Sequence, residues 1–562
     1  MKLRMSNLTT GRAQAPPLMA GSARQNVNQG PQAPLKLVAR KPRPSKAGRL
    51  ALGAGLLALA QSFFAWSNPV HELYQKHCAS CHGADRLGGM GPALLPENLS
   101  RLKKGDAAAM IRDSRPAVQM PAFKDQLKPE EIQALADHLY TPVTPAPRWG
   151  EKEIRASHLV LHAPGSLPDA PQFKADLMNL FVVVEGGDHH VSILDGDKFE
   201  RIHRFPSRFA LHGGPKFTPD GRYVFFASRD GWITKFDLWN LKVVTEVRAG
   251  INTRNAAVSG DGKFVAVANY LPHTLVILDA DLKLLKVLEV KDREGKQSSR
   301  VSAVYTAEPR QSFVAALKDV KEAWEVSYDP KAPDIPAGYI HDYQFREGAF
   351  VPGFLNPRRS VLDDYLDDFF FTPDYHQVMG ASREAGKGQV VHLDVRRSIA
   401  KLELPGMPHL GSGITFLHQG KRVMATPNLK EGMVSVIDLK DWKTIKQIQT
   451  PGPGFFMRSH EHSRYAFVDS MMSREHKDTL TVIDKEKLEV VASLKPVPGK
   501  TLAHIEFTKD GKFALASLWE NEGAIIVFDA ATLKEVKRIS ASKPVGKYNV
   551  WNKITRSEGT SH

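Results

Sequence analysis

The sequence predicts a small all-α domain followed by an all-β eight-bladed propeller. Three observations support this prediction: a helical apolar stripe between Ile132 and Tyr140, β-rich units that repeat from residue 180 onward, and a strand-ending aspartate that recurs at a nearly constant spacing. We expect a basic leader and signal peptide at 1–67, the small domain at 68–142, a linker at 143–160 and the propeller at 161–562.

The positive charge of the chain is concentrated at its N-terminus. The formal net charge is +15, but residues 1–67 carry ten Lys and Arg and no Asp or Glu, which leaves about +5 for the remainder. A composition of 42% hydrophobic and 24% charged residues is that of a globular protein. The charge distribution therefore predicts no nucleic-acid partner.

The basic leader runs into an apolar segment from Leu50 to Trp66, and small residues surround Ala65 and Ser67. This order of basic, apolar and small residues predicts a secretory signal and a periplasmic protein. An uncleaved membrane anchor is the alternative, although the apolar run is short for a spanning helix. No other run approaches membrane length, so we expect no stable membrane span after signal cleavage.

The stretch CASCH, Cys78–His82, contains both cysteines of the chain. Two cysteines this close together make a poor structural disulfide in an oxidising compartment. Thiol redox chemistry is one alternative, but the histidine that follows favours covalent attachment of one haem c. Cys78 and Cys81 then form thioethers to the haem, and His82 is the proximal iron ligand.

The sixth iron ligand is predicted to be Met120, in PAVQMPAF, where Pro121 stiffens the loop. Met90, in LGGMGPAL, is the alternative. A methionine ligand raises the haem potential, which suits an electron acceptor or shuttle.

A helical stripe supports the α-domain. Its apolar residues are Ile132, Leu135, Leu139 and Tyr140, and the segment should pack across a first helix at Val70–Cys78. Residues 68–142 resemble a class I cytochrome c, and the proline-rich TPVTPAPRWG that follows is typical of a linker.

The repeat units of the second domain each contain a D-G turn, an apolar strand and a strand that ends in aspartate, as in residues 217–247, 258–288 and 507–539. One such unit cannot bury both of its faces, whereas a closed ring of units can. Most gaps between the aspartates are 42 to 46 residues; those of 50 and 65 flank a predicted insertion, and seven blades is the alternative if the weakest unit, at Asp329, is not real. The aspartates are Asp195, Asp237, Asp279, Asp329, Asp394, Asp438, Asp484 and Asp529.

Polar and aromatic residues share one phase of the repeat, just before the first strand of a unit, and should converge on one mouth of the channel. Histidines without this register, such as His189 and His462, are predicted to be surface or core residues. The residues that lie 25 positions before the aspartate of their unit are His212, Arg254 and His504. Those that lie 28 or 29 positions before it are His409, Phe455 and Phe456, and Tyr548 follows the last unit at a comparable phase.

A pocket lined by histidines, arginine and flat aromatic rings suits a second tetrapyrrole. A histidine can bind iron through a ring nitrogen, and another can accept a proton. An arginine can donate two parallel hydrogen bonds to a peripheral carboxylate of the macrocycle, and Arg254 and Arg229 are the candidates. The alternative for both is a solvated position at the rim of the channel.

The chain resembles the cytochrome cd1 nitrite reductase family over residues 68–552, on its domain order and on the segments ALHGGPKFTPDGRYVFFASRDGWITKFDLW and GKYNVWN. The resemblance implies that the propeller binds haem d1, that His212 is its axial ligand, and that Arg229 and Arg254 lie near its carboxylates.

Two departures from the reductases favour another member of the family. The reductases place two histidines above the iron; His409 matches one, but the preceding blade shows no counterpart of the other. Instead His504 lies on a different blade, and Tyr548 stands where a phenylalanine is expected. These substitutions resemble the NirN-type dihydro-haem d1 dehydrogenases, which convert a propionate side chain to acrylate in haem d1 biosynthesis for denitrification.

This resemblance implies an oxidoreductase in which His504 is the base, Tyr548 orients it, and His409 contacts the macrocycle iron from the distal side. Electrons pass to haem c, or the substrate iron holds the first. The implied partners are the haem d1 precursor, the terminal nitrite reductase, other haem d1 biosynthesis proteins and a periplasmic electron acceptor. Alternatives are a nitrite reductase that forms nitric oxide, a non-enzymatic haem d1 carrier, and an unrelated multiblade dehydrogenase with a cytochrome tail.

Overall fold

The computed structural model describes residues 69–89, 91–100, 102–113, 120–342, 347–381 and 388–559. The predicted leader and signal peptide at 1–67, and Met90 as alternative iron ligand, lie outside these residues. Within the described ranges, no helix combines the length and the apolar character needed to cross a lipid bilayer.

The N-terminal domain is helical, as predicted. Glu131 accepts a hydrogen bond from the Lys128 backbone N–H at 2.8 Å and so caps the last helix of this domain. Ile132, Leu135 and Leu139 of that helix are buried against Tyr74 of the first helix. The four helices are α1 (Pro69–His77), α2 (Ala79–His82), α3 (Lys104–Asp113) and α4 (Pro129–Leu139).

The segment predicted as a linker, 143–160, contains regular structure. Helix α5 (Glu151–Ala156) is followed by the short strand β1 (Leu159–Val160). Ile154 is buried in the same apolar cluster as strands of the propeller, and the Trp149 indole N–H donates to the Arg248 carbonyl at 2.8 Å. The segment is therefore packed onto the second domain, which its prolines alone did not indicate.

The second domain consists almost entirely of antiparallel strands. Its first half contains β2 (Leu180–Glu185), β3 (His190–Asp195), β4 (Glu200–Pro206), β5 (Lys216–Phe217), β6 (Tyr223–Ala227), β7 (Trp232–Asp237), β8 (Lys242–Arg248), β9 (Asn252–Val258), β10 (Phe264–Leu271), β11 (Thr274–Asp279), β12 (Leu284–Glu289), β13 (Val301–Ala307), β14 (Ser312–Leu317), β15 (Glu322–Ser327), β16 (Ile335–Asp342), β17 (Glu347–Val351) and β18 (Pro357–Val361).

The second half continues the same pattern and ends in a short helix. Three single-turn 3₁₀ helices, Leu177–Asn179, Glu308–Arg310 and Leu410–Ser412, precede or join strands. The remaining elements are β19 (Asp368–Phe371), β20 (Gln377–Ala381), β21 (Gly388–His392), β22 (Arg397–Leu402), β23 (Ile414–His418), β24 (Lys421–Pro427), β25 (Met433–Asp438), β26 (Thr444–Gln449), β27 (Met457–Arg458), β28 (Tyr465–Asp469), β29 (Leu480–Asp484), β30 (Glu489–Leu494), β31 (Leu502–Phe507), β32 (Phe513–Leu518), β33 (Gly523–Asp529), β34 (Glu535–Ala541), β35 (Pro544–Asn549) and α6 (Val550–Ile554).

The strands form a propeller-like set of sheets. Five sheets have four strands each, in the orders β35-β2-β3-β4, β12-β11-β10-β9, β23-β24-β25-β26, β27-β28-β29-β30 and β31-β32-β33-β34. A fifth strand, β1, joins β8-β7-β6-β5, and one eight-stranded sheet has the order β13-β14-β15-β18-β22-β21-β20-β19. The two halves of that large sheet meet through one residue pair, Val361 with Arg397.

The last strand of the chain closes the set. Strand β35 pairs with β2, so that Asn549 lies opposite Phe181 and the C-terminus supplies the first strand of the first sheet. The apolar core lies between neighbouring sheets; one cluster joins Ala268 and Leu275 of one unit to Val304 of the next. Each sheet thus buries its faces against its neighbours.

The repeating aspartates are explained by turn chemistry. The Asp237 Oδ1 accepts the backbone N–H groups of Trp239 and Asn240 at 2.9 and 3.2 Å, and Asp529 does the same for Thr532 at 2.7 Å. Such turns hold the hairpin between the third and fourth strands of a unit. Asp329 gives the weakest signal because β15 ends earlier, at Ser327.

The predicted insertion lies between β15 and β18. It contains a separate hairpin, β16 paired with β17, before the chain returns to complete the sheet. Part of the predicted insertion is regular sheet, because Pro357–Val361 forms the fourth strand of that unit.

Candidate functional site

A cavity of about 260 Å³ lies in the helical domain. Its wall contains every residue predicted to hold haem c: Cys78, Cys81, His82 and Met120. The rest of the wall is mostly apolar and includes Leu94, Leu99, Ile111, Phe123, Leu135 and Leu139. Two thiols, an imidazole and a thioether around an apolar cavity fit a covalently attached haem.

The imidazole of His82 is oriented by its surroundings. Its Nδ1–H donates to the Pro92 carbonyl at 2.8 Å, which leaves Nε2 as the atom able to bind iron. Gly91 lies against the ring; a Cβ there would stand 2.7 Å from the His82 Cε1. Only glycine allows this close approach.

The environment of the Cys78 thiol disfavours thiol redox chemistry as an alternative. Cys78 and Cys81 are both free in the structure. Burial raises the pKa of the Cys78 thiol to about 11, so that it is a poor nucleophile at neutral pH.

A larger cavity of about 490 Å³ lies at the N-terminal ends of the first strands of the propeller units. The shared repeat phase does bring its residues together, because the cavity is lined by His212, Arg254, His409, His504 and Tyr548. Its size lies within the range of small-molecule and cofactor sites. Arg229 is not among the lining residues.

Two histidines of this cavity, like His82, donate a hydrogen bond from Nδ1 to a backbone carbonyl. The Nδ1–H of His212 donates to the Arg254 carbonyl at 2.7 Å, and that of His409 donates to the Phe455 carbonyl at 2.8 Å. In both rings Nε2 is therefore the atom left with a lone pair that can bind a metal. The Arg254 Nη1 lies 2.6 Å from the His212 Nε2 and donates to it.

His504 is held differently. The ladder between β31 and β32 skips it, with Ala503 opposite Ser517 and Ile505 opposite Ala516. Its φ of 47° is rare for a residue other than glycine, and such bulges redirect a side chain at functional sites.

The ring of His504 is buried, and both of its nitrogens lack a hydrogen-bond partner within the described residues. Burial, together with the positive charges of Lys547 and Arg458, lowers the pKa of His504 well below its ordinary value. The imidazole is therefore neutral at neutral pH and able to accept a proton.

Five rings form a continuous arc along one wall of the cavity. Consecutive centroids are 4.2, 4.6, 4.7 and 5.1 Å apart in the order His409, Phe455, Phe456, His504 and Tyr548. Burial raises the pKa of Tyr548 to about 12, so its hydroxyl stays protonated and can donate.

One buried carboxylate accepts hydrogen bonds from the backbone of three residues of this arc. Asp469, at the end of β28, is fully buried. Its two oxygens accept the backbone N–H groups of Phe455 at 2.8 Å, Phe456 at 3.2 Å and His504 at 3.3 Å. Asp469 therefore ties the loops of two neighbouring units together at the cavity.

Sequence reasoning missed several lining residues. Arg458 follows the predicted Phe456 by two positions, and an extension of the phase argument would have found it. His189, predicted to be a surface or core residue, and Phe209 line both cavities, with ring centroids 4.9 Å apart. No repeat signal marks them, since they lie where the helical domain meets the propeller.

Residues 175–352 and 350–553 match the cytochrome D1 heme domain family. Residues 68–139 match the family described as cytochrome c oxidase, cbb3-type, subunit III. The first match covers most of the propeller, and the second covers the helical domain.

Two curated relatives and one solved structure extend these matches. The chain is 54% identical to the dihydro-heme d1 dehydrogenase of Pseudomonas aeruginosa, over 91% of this chain and 99% of the relative. It is 25% identical to the nitrite reductase of Stutzerimonas stutzeri, over 91% and 98%. The structure of dihydro-heme d1 dehydrogenase NirN in complex with DHE has 54% identity and a TM-score of 0.79, over 87% of this chain and all of that one.

We expect Gly91→Ala to reduce haem c incorporation, because the added methyl group would collide with the His82 ring. Haem c absorbance per polypeptide after periplasmic expression measures the effect. Gly105→Ala is the matched control, since a Cβ there meets nothing within 4 Å. A Gly91→Ala protein with full haem content and an unchanged spectrum would contradict the expected packing.

We expect Asp469→Asn to destabilise the propeller by about 1–3 kcal/mol, because an amide offers one acceptor oxygen where two are used. Thermal unfolding measures the loss, with Asp441→Asn in an exposed turn as the control. Amide exchange should rise at Phe456 and His504; unchanged exchange there would show that Asp469 does not hold these loops.

Proposed function

The chain belongs to the cytochrome D1 heme domain family, and we propose that it dehydrogenates dihydro-haem d1 to haem d1. One observation carries the proposal: a neutral, unpartnered imidazole, His504, is turned by a β-bulge into a cavity that a tetrapyrrole fits. The similarity to a dihydro-heme d1 dehydrogenase over nearly the whole chain supports it.

The substrate is held in the propeller cavity. We assign His212 as the axial ligand of the substrate iron and His409 as a contact on the distal side, since each has Nδ1–H bound to a carbonyl and Nε2 directed elsewhere. Arg254, which now donates to the His212 Nε2, must leave that nitrogen when iron binds. It then becomes available to a carboxylate of the macrocycle. Arg229 remains a candidate for a second carboxylate, although it does not line the cavity.

The reaction removes two hydrogens from a propionate side chain. The –CH₂–CH₂–COO⁻ group becomes –CH=CH–COO⁻ and releases two protons and two electrons. His504 accepts one proton from carbon, as its depressed pKa leaves it neutral. Tyr548, 5.1 Å from it between ring centroids, orients the side chain or His504 through its hydroxyl.

The helical domain would hold haem c through Cys78, Cys81, His82 and Met120. When bound, haem c supplies a one-electron acceptor for the electrons released by the substrate. His189 and Phe209 line both cavities, which supports a short path for electrons between the two sites.

The architecture is proposed to be eight-bladed. When the two halves of the eight-stranded sheet are counted separately, the described strands form eight units of four, apart from β1 and the β16–β17 hairpin. The single residue pair that joins the halves supports this count.

The protein is proposed to act in the periplasm, after removal of the signal peptide predicted at 1–67. Its product would be taken up by the terminal nitrite reductase, directly or through other haem d1 biosynthesis proteins, and a periplasmic redox protein would reoxidise haem c. The 25% identity of the chain to a nitrite reductase, over 91% of this chain and 98% of the relative, supports such a pathway.

We expect His504→Ala to reduce conversion of dihydro-haem d1 at least about 100-fold while substrate binding changes little, because a general base is lost. Anaerobic absorbance spectra of the purified protein mixed with dihydro-haem d1 follow both steps. His462→Ala is the control, because that histidine is exposed. Full conversion by His504→Ala would exclude His504 as the base, and nitrite turnover by the wild type would favour a reductase.

A further inference from the structure

Arg458 is an unusual arginine in the wall of the propeller cavity. It lies in β27, next to the strand that carries Asp469, and only 2% of it is exposed. Its Nη1 donates to the Met457 carbonyl at 2.6 Å. Its Nε is buried and has no hydrogen-bond partner within the described residues.

No acidic side chain of the described chain forms an ion pair with this guanidinium. Glu506 and Asp469 attract Arg458 electrostatically, but neither forms a hydrogen bond with its Nε. The Glu506 Oε1 accepts from the Asn552 amide at 3.2 Å and from the Phe507 backbone N–H at 3.0 Å, and Asp469 accepts the backbone N–H groups of the ring arc. A buried guanidinium that forms no ion pair is costly, so an anion in the cavity that binds Arg458 would be stabilised.

A second buried basic group strengthens this preference. Lys547, fully buried behind the same wall, donates to the His504 carbonyl and to the Ser517 hydroxyl, and burial lowers its pKa well below the ordinary lysine value. A negatively charged group in the cavity would favour the charged form of both basic side chains.

The other cavity arginine differs. Arg254 already donates to the Ser302 carbonyl at 3.1 Å and to His212. Arg458, by contrast, acts electrostatically on both His504 and Tyr548, the two residues assigned to the chemistry. All three residues line the same cavity.

We propose that Arg458 binds the carboxylate of the propionate side chain that is dehydrogenated and so fixes which side chain reaches His504. The inference rests on the proposed function for the identity of the substrate. A planar guanidinium can donate two parallel hydrogen bonds to a carboxylate. This pairing fixes the direction in which the propionate side chain extends from its carboxylate.

Arg458 also assists proton removal. A C–H bond beside a carboxylate resists deprotonation because negative charge builds up next to an existing anion. The positive charge of Arg458 offsets this repulsion as the proton moves to His504. The two electrons leave one at a time for the one-electron acceptor, which is reoxidised between them, and the second proton leaves for water.

The test compares two ligands and three variants. Holo-cytochrome lacking any tetrapyrrole in the propeller is titrated anaerobically with dihydro-haem d1 and with its fully methyl-esterified form. Arg458→Gln should weaken binding of the acid about tenfold or more and leave binding of the ester within about twofold. Arg458→Lys, which keeps the charge but not the fork, should fall between Arg458→Gln and wild type.

Arg464→Gln is the matched control, since its guanidinium pairs with Asp484 outside the cavity and half of its side chain is exposed. Equal losses for acid and ester in Arg458→Gln, or no loss for the acid, would overturn the proposal. Because binding needs no turnover, these results stand apart from conversion by the wild type, whose absence would instead refute the dehydrogenase function.

Discussion

The buried carboxylate of Asp469 is the interaction on which the propeller site depends. It accepts amide hydrogens from Phe455 and Phe456 in one unit and from His504 in the next. A buried amide without an acceptor is costly, so a single acidic group that satisfies three of them fixes two loops at once. Burial raises the pKa of Asp469 to about 6, so it is still ionised at neutral pH. The arc of rings from His409 to Tyr548 is held in place from this point.

The closed ring of sheets explains why distant residues share one cavity. First strands of several units, and the loops before them, line the same cavity, and β35 completes the first unit with the last strand of the chain. Tyr548 thereby stands beside His504 and against the loop of His212: a Cβ on Gly214 would lie 3.0 Å from the Tyr548 ring. Closure therefore assembles the site and stabilises the fold through the same strand pairing.

Two kinds of histidine occur, and their backbone contacts separate them. His82, His212 and His409 each donate from Nδ1 to a carbonyl, the arrangement that prepares Nε2 for iron. His504 makes no such bond; it combines a strained φ with two unpartnered nitrogens, which suits a group that must accept a proton. The Arg458 Nε also has no partner within the described residues, and it is the donor that we propose for the substrate carboxylate.

The sequence by itself determined the features that repeat or act locally. CASCH predicted three of the residues that line the cavity proposed for haem c, and the aspartate spacing predicted the units because each aspartate makes its own turn. Similar offsets within the repeat predicted that His212, His409 and His504 share one cavity. Only the tertiary structure decided that residues 143–160 pack onto the second domain and that Arg229 does not line the propeller cavity. It alone also showed that His189 and Phe209 line both cavities, and that the Arg458 Nε has no hydrogen-bond partner within the described residues. These depend on contacts between residues far apart in the chain, and such contacts exist only once the ring has closed and the helical domain is packed against it.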